Sequence, residues 1–182
     1  MPLILGIDLG TTKVTAIAVD AETGEVVASS TEVTSGNITS SRDRNRGRSQ
    51  WDAPAMLKSG LVCLTRLGAQ LGERSANVVS LGVTGQQHGM VLINSERRSV
   101  SPFIGWQDQR SNDLIPGQEV SRAHAARERL GRDAVQRTGC QLNTGFLATT
   151  LFWLNEHREL PTDVSACFLI QEHVDTQPMS SM

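Results

Sequence analysis

Tyrosine is absent from this 182-residue chain, and tryptophan and phenylalanine together make up only 4% of it. A buried core must therefore be built mainly from Val, Ile, Leu and Ala. The chain also has no excess of positive charge, because 17 basic and 19 acidic side chains give a formal net charge of −2. That balance excludes a protein that binds nucleic acid or an anionic membrane through bulk positive charge.

Long apolar runs are missing too. No stretch approaches the roughly 20 apolar residues that a membrane span needs, and Asp8 interrupts the apolar run at the amino terminus, which lacks the regions of a secretory signal. The three cysteines, Cys63, Cys140 and Cys167, are far apart and have small or apolar neighbours. We expect them to be reduced, buried thiols. These absences predict a cytoplasmic protein with no membrane partner.

The residues that are present predict a folded globular chain, with 38% hydrophobic and 20% charged residues. Three strands are expected over residues 3–8, 14–19 and 25–33, where β-branched residues recur between two short turns that contain glycine. Short connections of this kind join antiparallel neighbours. The three strands are therefore predicted to form a meander.

The polar segment over residues 34–50 contains Arg42, Arg44, Arg46 and Arg48 in near alternation with Asp, Asn and Gly. One interpretation is an arm that binds anions. The segment has no apolar partner face, however, and the chain as a whole is slightly acidic, which favours an exposed loop.

A long helix is predicted to begin after Asp52, an N-cap residue that is followed by the first-turn proline Pro54. Its apolar residues recur at helical spacing as far as Leu71, so the helix is expected to cover a sheet. Further elements are expected as a buried strand over 78–84, strands over 90–93 and 103–106, a mostly helical stretch over 121–137, a helix over 146–157 and a strand over 166–170. This pattern predicts an α/β fold.

The first candidate site is the sequence Gly-Ile-Asp-Leu-Gly-Thr-Thr over residues 6–12. Gly10 lets the backbone approach phosphate oxygens, while Thr11 and Thr12 offer hydroxyl and amide donors. Asp8, at the end of the strand, can hold a hydrated Mg²⁺. The segment is neither a Walker loop nor a dinucleotide-binding fingerprint. Its alternative reading is an ordinary hairpin turn with a solvated aspartate.

Placed between the first two strands, this segment resembles the first phosphate motif of the actin, hexokinase and sugar-kinase superfamily. Within it, the chain most resembles the FGGY family of carbohydrate kinases. Three further segments match in the same order: Gly-Val-Thr-Gly-Gln-Gln-His-Gly at 82–89, Trp-Gln-Asp-Gln-Arg at 106–110, and Thr-Gly-Cys at 138–140 continuing into the helix at 148–154. The likeness extends from Ile4 to about Val174 and is closer to the sedoheptulokinase and xylulokinase branches than to glycerol kinase.

The resemblance implies a ribonuclease H-like α/β domain, in which a three-strand antiparallel meander and then parallel strands form a mixed sheet with helices on both faces. It implies that residues 1–174 are an incomplete first-lobe domain and that residues 175–182 are an unaligned tail. It also implies that the C-terminal lobe, with its catalytic aspartate and adenosine motif, is absent. No catalytic residue is therefore assigned within this chain.

The activity that the resemblance implies is ATP-dependent phosphorylation of a ketose or polyol such as xylulose or sedoheptulose, with ATP and Mg²⁺ as cofactors. The resemblance places the nucleotide against Asp8, Gly10, Thr11, Thr12 and Lys13, and the metal on Asp8 through water.

The sugar pocket is implied to contain Gln87, His88, Trp106, Asp108 and Arg110. An amide and an imidazole supply the donors and acceptors that a polyol needs, and an indole can stack on the apolar face of a sugar. Two alternatives stay open. His88 can be a structural histidine, and Asp108 and Arg110 can pair merely to pin a loop.

Three functions are compatible with the sequence. The first is a carbohydrate kinase whose partner is a small sugar. That kinase is expected to phosphorylate sugar once a complementary C-terminal kinase fragment is supplied. The second is a truncated remnant that binds sugar but cannot catalyse. The third is a non-enzymatic interaction module that associates with itself. The identity of the sugar does not follow from the sequence.

Overall fold

A computed structural model describes residues 1–175. Its strands are β1 (Leu3–Leu9), β2 (Lys13–Asp20), β3 (Val26–Val33), β4 (Gln50–Trp51), β5 (Val78–Gly85), β6 (Val91–Ile93), β7 (Phe103–Ile104) and β8 (Ala166–Phe168). Its α-helices are α1 (Ser41–Asn45), α2 (Ala53–Leu71), α3 (Arg122–Leu130), α4 (Ala134–Thr138), α5 (Leu147–Glu156) and α6 (Ile170–Asp175). Two compact units result: unit 1 contains residues 1–37, 52–86 and 170–175, and unit 2 contains residues 38–51 and 87–169.

Unit 1 is built on a four-stranded sheet in the order β3-β2-β1-β5. β2 is antiparallel to both β1 and β3, whereas β5 is parallel to β1. Alternate residues of β2, namely Val14, Ala16 and Ala18, are buried, as expected when one face of a strand lies against the core. The predicted antiparallel meander within a mixed α/β sheet is confirmed.

The long helix α2 covers this sheet and begins where the sequence predicted. The Asp52 side chain accepts a hydrogen bond from the backbone N–H of Ala55 at 2.8 Å, which caps the helix. The absence of a side chain at Gly60 lets the helix lie close to the sheet, since a Cβ built there would be 3.1 Å from Leu9 and 3.5 Å from Ile7. α2 therefore covers one face of the strands β1, β2 and β3.

The strand β5 forms as predicted, but the expectation that it would be buried is wrong. Its side chains at Val79 and Leu81 are 67% and 47% exposed. β5 is one of the two edge strands, with β1 as its strand neighbour, and α2 packs mainly across β2 and β3. An apolar strand is thus left open to solvent in the part of the chain that the structure describes.

Unit 2 has two small antiparallel sheets, one pairing β4 with β7 and the other pairing β6 with β8. Its core is formed by Met90, Leu92, Ile104, Trp153 and Leu154. The last two belong to α5, which lies one residue inside each end of the helix predicted over 146–157. This core supports the loops that follow β5 and β7.

The prediction that residues 34–50 form an exposed loop is wrong in part. The segment contains α1, whose N-cap Ser40 accepts a hydrogen bond from the backbone N–H of Asp43 at 3.0 Å, and the beginning of β4. Arg42, Arg44 and Arg46 are exposed as expected, but Arg48 is buried.

Three other predicted elements have different bounds. The strand predicted over 103–106 ends at Ile104. The helical stretch over 121–137 is divided into α3 and α4, because Gly131 adopts a φ of 89° that ends the first helix. The strand predicted over 166–170 ends at Phe168, and Ile170 begins α6 instead.

The three cysteines, which the sequence predicted to be buried thiols, are not equally buried. The thiol of Cys63 is buried and donates to the carbonyl of Ser30 at 3.1 Å. Cys167 is partly exposed, and Cys140 is exposed, so the expected burial is wrong for Cys140. No helix within residues 1–175 is both long enough and apolar enough to cross a bilayer.

Candidate functional site

The first candidate site is the turn between β1 and β2 in unit 1. The side chain of Asp8 is exposed near the end of β1, and Thr12 and Lys13 are exposed where β2 begins, with Thr11 half-buried between them. A carboxylate, two hydroxyls and an amine are therefore present along one short turn. These are the side chains that the sequence assigned to a nucleotide phosphate.

The backbone of this turn is held in a shape that only glycine permits at position 10. A Cβ on Gly10 would lie 2.6 Å from the carbonyl oxygen of Lys13. The Thr34 hydroxyl donates to the Gly10 carbonyl at 2.6 Å, and the Thr34 N–H donates to the Thr12 carbonyl at 3.1 Å. Both bonds use carbonyl oxygens of the turn as acceptors, so neither of them engages an amide or a hydroxyl of the turn.

The turn fits a magnesium-bound phosphate better than a metal held by protein alone. Within the described residues, no group of three or more His, Cys, Asp or Glu side chains could hold a metal ion. Mg²⁺ keeps several waters and often uses one carboxylate together with substrate phosphates. The single exposed carboxylate of Asp8 matches that role.

The second candidate site lies in unit 2, where Gln87 and His88 are both exposed after β5. His88 has a φ of 70°, in the left-handed region, which costs a residue with a Cβ about 1–2 kcal/mol. Its imidazole stacks on the ring of Phe146, with centroids 3.9 Å apart and 1° between the planes. The imidazole is therefore held at the surface in one orientation.

The His88 turn lies beside the loop that contains Trp106. Met90 and Ile104 exchange two backbone hydrogen bonds of 2.8 Å, and a Cβ on Gly89 would be 2.9 Å from the Ile104 carbonyl oxygen. Trp106 follows two residues later and is 51% exposed. The predicted histidine and tryptophan are thus carried by adjacent backbone segments.

A third segment completes this arrangement. Gly145, with a φ of 78°, lies so close to the Trp106 backbone that a Cβ would overlap its carbonyl oxygen and lie 2.7 Å from its carbonyl carbon. The next residue is Phe146, which contacts His88. Residues 145–146 therefore contact the backbone of Trp106 on one side and the ring of His88 on the other, a role that was not predicted from the sequence.

Asp108 and Arg110 pair with each other inside unit 2, and both are buried. One carboxylate oxygen of Asp108 accepts hydrogen bonds from the N–H and Nε of Arg110 at 2.9 and 2.8 Å. The other accepts from Arg110 Nη2 at 3.0 Å and from the Ser49 N–H at 2.8 Å. This carboxylate thus accepts four hydrogen bonds within unit 2 and joins Arg110 and Ser49 to the Trp106 loop.

A further ionic cluster beside this pair was missed from the sequence. Arg48 donates to both oxygens of Asp113, at 3.3 and 2.6 Å, and the indole N–H of Trp153 donates to Asp113 at 3.1 Å. The guanidinium groups of Arg48 and Arg110 lie 5.3 and 5.1 Å from the centroid of the Trp153 ring. Burial raises the pKa of Asp113, but the hydrogen bonds and positive charge of Arg48 outweigh it, so the pKa is lowered.

Unit 2 also contains an apolar cavity of about 530 Å³ between α5 and the β6–β8 sheet. Its lining includes Leu92, Leu151, Phe152, Leu160 and Cys167. None of the residues predicted to bind sugar or nucleotide lines it. A polyol needs several hydrogen-bonding partners, so the exposed cluster around His88 suits a sugar better than this cavity does.

Comparison with known proteins identifies relatives over nearly the whole chain. Residues 3–176 match the family described as "FGGY family of carbohydrate kinases, N-terminal domain". The chain is 31% identical to a xylulose kinase of Streptomyces coelicolor over 158 residues, which is 86% of this chain and 29% of that protein. It is 28% identical to the human sedoheptulokinase over 180 residues, which is 86% of this chain and 34% of the relative.

The solved structure of xylulose kinase from Rhodospirillum rubrum superposes with a TM-score of 0.79. The match covers 95% of this chain and 33% of that one, at 20% sequence identity, and so supports the fold. The chain thus spans about a third of the length of the relatives that it matches.

Proposed function

This chain belongs to the FGGY family of carbohydrate kinases, and from that premise we propose that it provides the sugar-binding surface and the first phosphate-binding turn of an ATP-dependent sugar kinase. The proposed substrate is a ketose or polyol such as xylulose or sedoheptulose, because relatives with those names match it. The observation that carries the proposal is the cluster in unit 2 in which Gly145 lies against the backbone of Trp106 and Phe146 stacks on His88, both of whose side chains are exposed.

The chemistry of this cluster suits a polyol. The Gln87 amide and the His88 imidazole offer donors and acceptors at the surface, and the exposed indole of Trp106 offers a flat apolar face. Asp108 and Arg110 contribute by fixing the backbone of residues 105–110, since their charges are satisfied by each other and by Ser49. The sugar is therefore proposed to contact three side chains of unit 2, with the buried pair acting through the loop.

In the proposed reaction, the β1–β2 turn binds the phosphates of ATP. When bound with Mg²⁺, ATP supplies the γ-phosphoryl group that a sugar hydroxyl receives. The hydroxyls of Thr11 and Thr12 and the backbone at Gly10 are proposed to donate to phosphate oxygens, and Lys13 to balance their charge. Asp8 is proposed to contact the metal through water. The tight Thr34 contacts orient these donors before the ligand arrives, which lowers the entropy lost on binding.

The whole reaction also needs a base near the acceptor hydroxyl, and no residue of this chain is assigned that role. Because the chain covers about a third of its relatives, we propose that the base and the adenosine contacts are supplied by polypeptide of the kind that makes up the rest of those proteins. The proposed location is the cytoplasm, where the thiols of Cys63, Cys140 and Cys167 would remain reduced.

The proposal is tested by calorimetric titration of the chain with xylulose, sedoheptulose and glycerol. We expect at least one ketose to bind, and the His88→Ala variant to bind it more weakly. The matched control is His124→Ala, which removes an exposed imidazole from α3. If no ketose or polyol binds, or if both variants lose affinity equally, the proposed sugar site is wrong.

A second candidate function is association through the edge strand β5. Its residues Val78–Gly85 contain no charged side chain and no proline, although such residues commonly protect exposed edges from pairing. The exposed Val79 and Leu81 add apolar surface to the unpaired backbone. These features support pairing either with a second copy of the chain or with a complementary kinase fragment.

Light scattering over a range of concentrations tests this association. Leu81→Lys is expected to shift a self-associated chain toward the monomer, whereas Leu114→Lys, at another exposed leucine (59% exposed), is expected to leave it unchanged. A monomeric wild-type chain at all concentrations would exclude self-association and leave the complementary fragment as the partner.

A further inference from the structure

His88 combines two features that do not normally occur together in a solvated turn. Its backbone is in the left-handed region at φ 70°, and its exposed side chain is parallel to the Phe146 ring within 1°. An exposed imidazole is ordinarily free to change rotamer. A contact of this kind therefore fixes a ring whose own backbone position is already costly.

Phe146 is well placed to fix that ring because its own backbone is held firmly. It is the N-cap residue of α5, and its carbonyl accepts hydrogen bonds from the Thr150 N–H at 3.0 Å and the Thr149 hydroxyl at 2.9 Å. Thr149 is fully buried and also donates to the Asn143 carbonyl at 2.7 Å. The first turn of α5 thus carries Phe146 as a rigid support.

Gly145, the residue before Phe146, fixes the position of this segment against the Trp106 loop. Gly145 lies against the Trp106 backbone at a distance that no side chain would allow, and the Thr144 hydroxyl donates to the Asp108 carbonyl at 3.4 Å. Residues 144–146 therefore contact the Trp106 loop at one end and the His88 ring at the other. A displacement of this segment would be transmitted to both exposed side chains.

We propose that Phe146 is a positioning residue, which holds the His88 imidazole by face-to-face stacking in a fixed relation to Trp106. This inference deepens the proposed function and rests on it for the identity of the ligand, a sugar with several hydroxyls. The stack itself is a property of the free chain. Aromatic pairs contribute about 0.5–1.5 kcal/mol beyond the area they bury, enough to favour one orientation of an exposed ring.

The experiment is NMR spectroscopy of the chain with labelled histidine. A ring stacked on an aromatic face is shielded, so the His88 Hδ2 and Hε1 resonances are expected upfield in the wild type. Phe146→Leu should move them toward the positions of a free imidazole, and Phe146→Tyr should restore the upfield shift. Phe152→Leu, which removes another phenylalanine of α5, is the matched control and should change nothing. Unchanged His88 resonances in Phe146→Leu would overturn the proposal.

A sugar titration of the same variants separates this inference from the proposed function. If the wild type binds a ketose, Phe146→Leu is expected to bind it about two- to ten-fold more weakly, the range that one aromatic pair contributes, with Phe146→Tyr close to the wild type. Equal affinity in Phe146→Leu would overturn the positioning role even if the stack is observed. Another outcome is that the wild type binds no sugar while the His88 shielding changes as expected in the Phe146 variants. In that case the proposed function is wrong, but the stacking of His88 on Phe146 is confirmed.

Discussion

The carboxylate of Asp108 and the guanidinium of Arg110 are buried together and joined by hydrogen bonds of 2.8 and 3.0 Å. The two residues are separated by a single position, so their pairing closes the loop that carries Trp106. The segment 106–110 resembles a sugar-binding motif. Its Asp108 and Arg110 side chains nevertheless make their hydrogen bonds to each other inside unit 2.

The first prediction concerns this pair. Asp108→Asn leaves a buried arginine without its counter-charge and is expected to lower the free energy of unfolding by about 3–5 kcal/mol, measured by urea denaturation. The control is Asp133→Asn, at an exposed ion pair with Arg137, which should change it by less than about 0.5 kcal/mol. Equal effects in the two variants would show that the Asp108 charge is not needed inside unit 2.

The second prediction concerns the close approach at Gly145. Gly145→Ala places a Cβ against the Trp106 carbonyl, whereas Gly139→Ala has a similar φ of 68° with nothing within 4 Å. Both variants incur the cost of left-handed backbone, about 1–2 kcal/mol, so their difference isolates the clash. We expect Gly145→Ala to be less stable than Gly139→Ala by about 1–3 kcal/mol in denaturant titrations. No difference would mean that the segment moves away from Trp106 freely.

Much of the fold could be predicted from the sequence, because the secondary structure depends on local residue patterns. The meander follows from β-branched runs, and α2 follows from the cap at Asp52. The contacts that build the site are not local: Arg48 pairs with Asp113 across 65 positions, and His88 stacks on Phe146 across 58. An alternating series of arginines is typical of a solvated loop, and the sequence does not show that one of them has a distant acidic partner. The exposure of β5 could not be predicted either, because it depends on which strands lie beside it.

The third prediction is a pH dependence that arises from Asp113. Its pKa in the folded chain is lower than the ordinary value of 3.8, so folding favours the ionised form. The stabilisation is complete above the unfolded pKa and is lost as pH falls through the folded one. Denaturation between pH 7 and pH 2.5 should show stability falling below about pH 4 in the wild type and less steeply in Asp113→Asn. Parallel profiles for the two proteins would contradict the role of the Arg48 contact.

The fourth prediction concerns His173, which is buried in α6 of unit 1. Burial lowers the pKa of this imidazole below its ordinary value of 6.5, so the folded chain favours the neutral ring. The unfolded chain takes up a proton first as the solution is acidified, and stability should fall as pH drops below 6.5 toward the folded pKa. His173→Gln should flatten the profile between pH 7 and pH 5. A wild-type profile that is already flat over this range would refute the effect.

The central claim is that this chain carries a sugar site around His88 and Trp106 in unit 2 and a phosphate site at the β1–β2 turn. The most direct test is a map of backbone amide NMR shifts during titration with xylulose or sedoheptulose and, separately, with magnesium ATP. We expect sugar-dependent changes at residues 87–89, 105–107 and 144–146, and nucleotide-dependent changes at residues 8–13. Sugar-dependent changes centred on the apolar cavity beside α5, or no changes with either ligand, would contradict it.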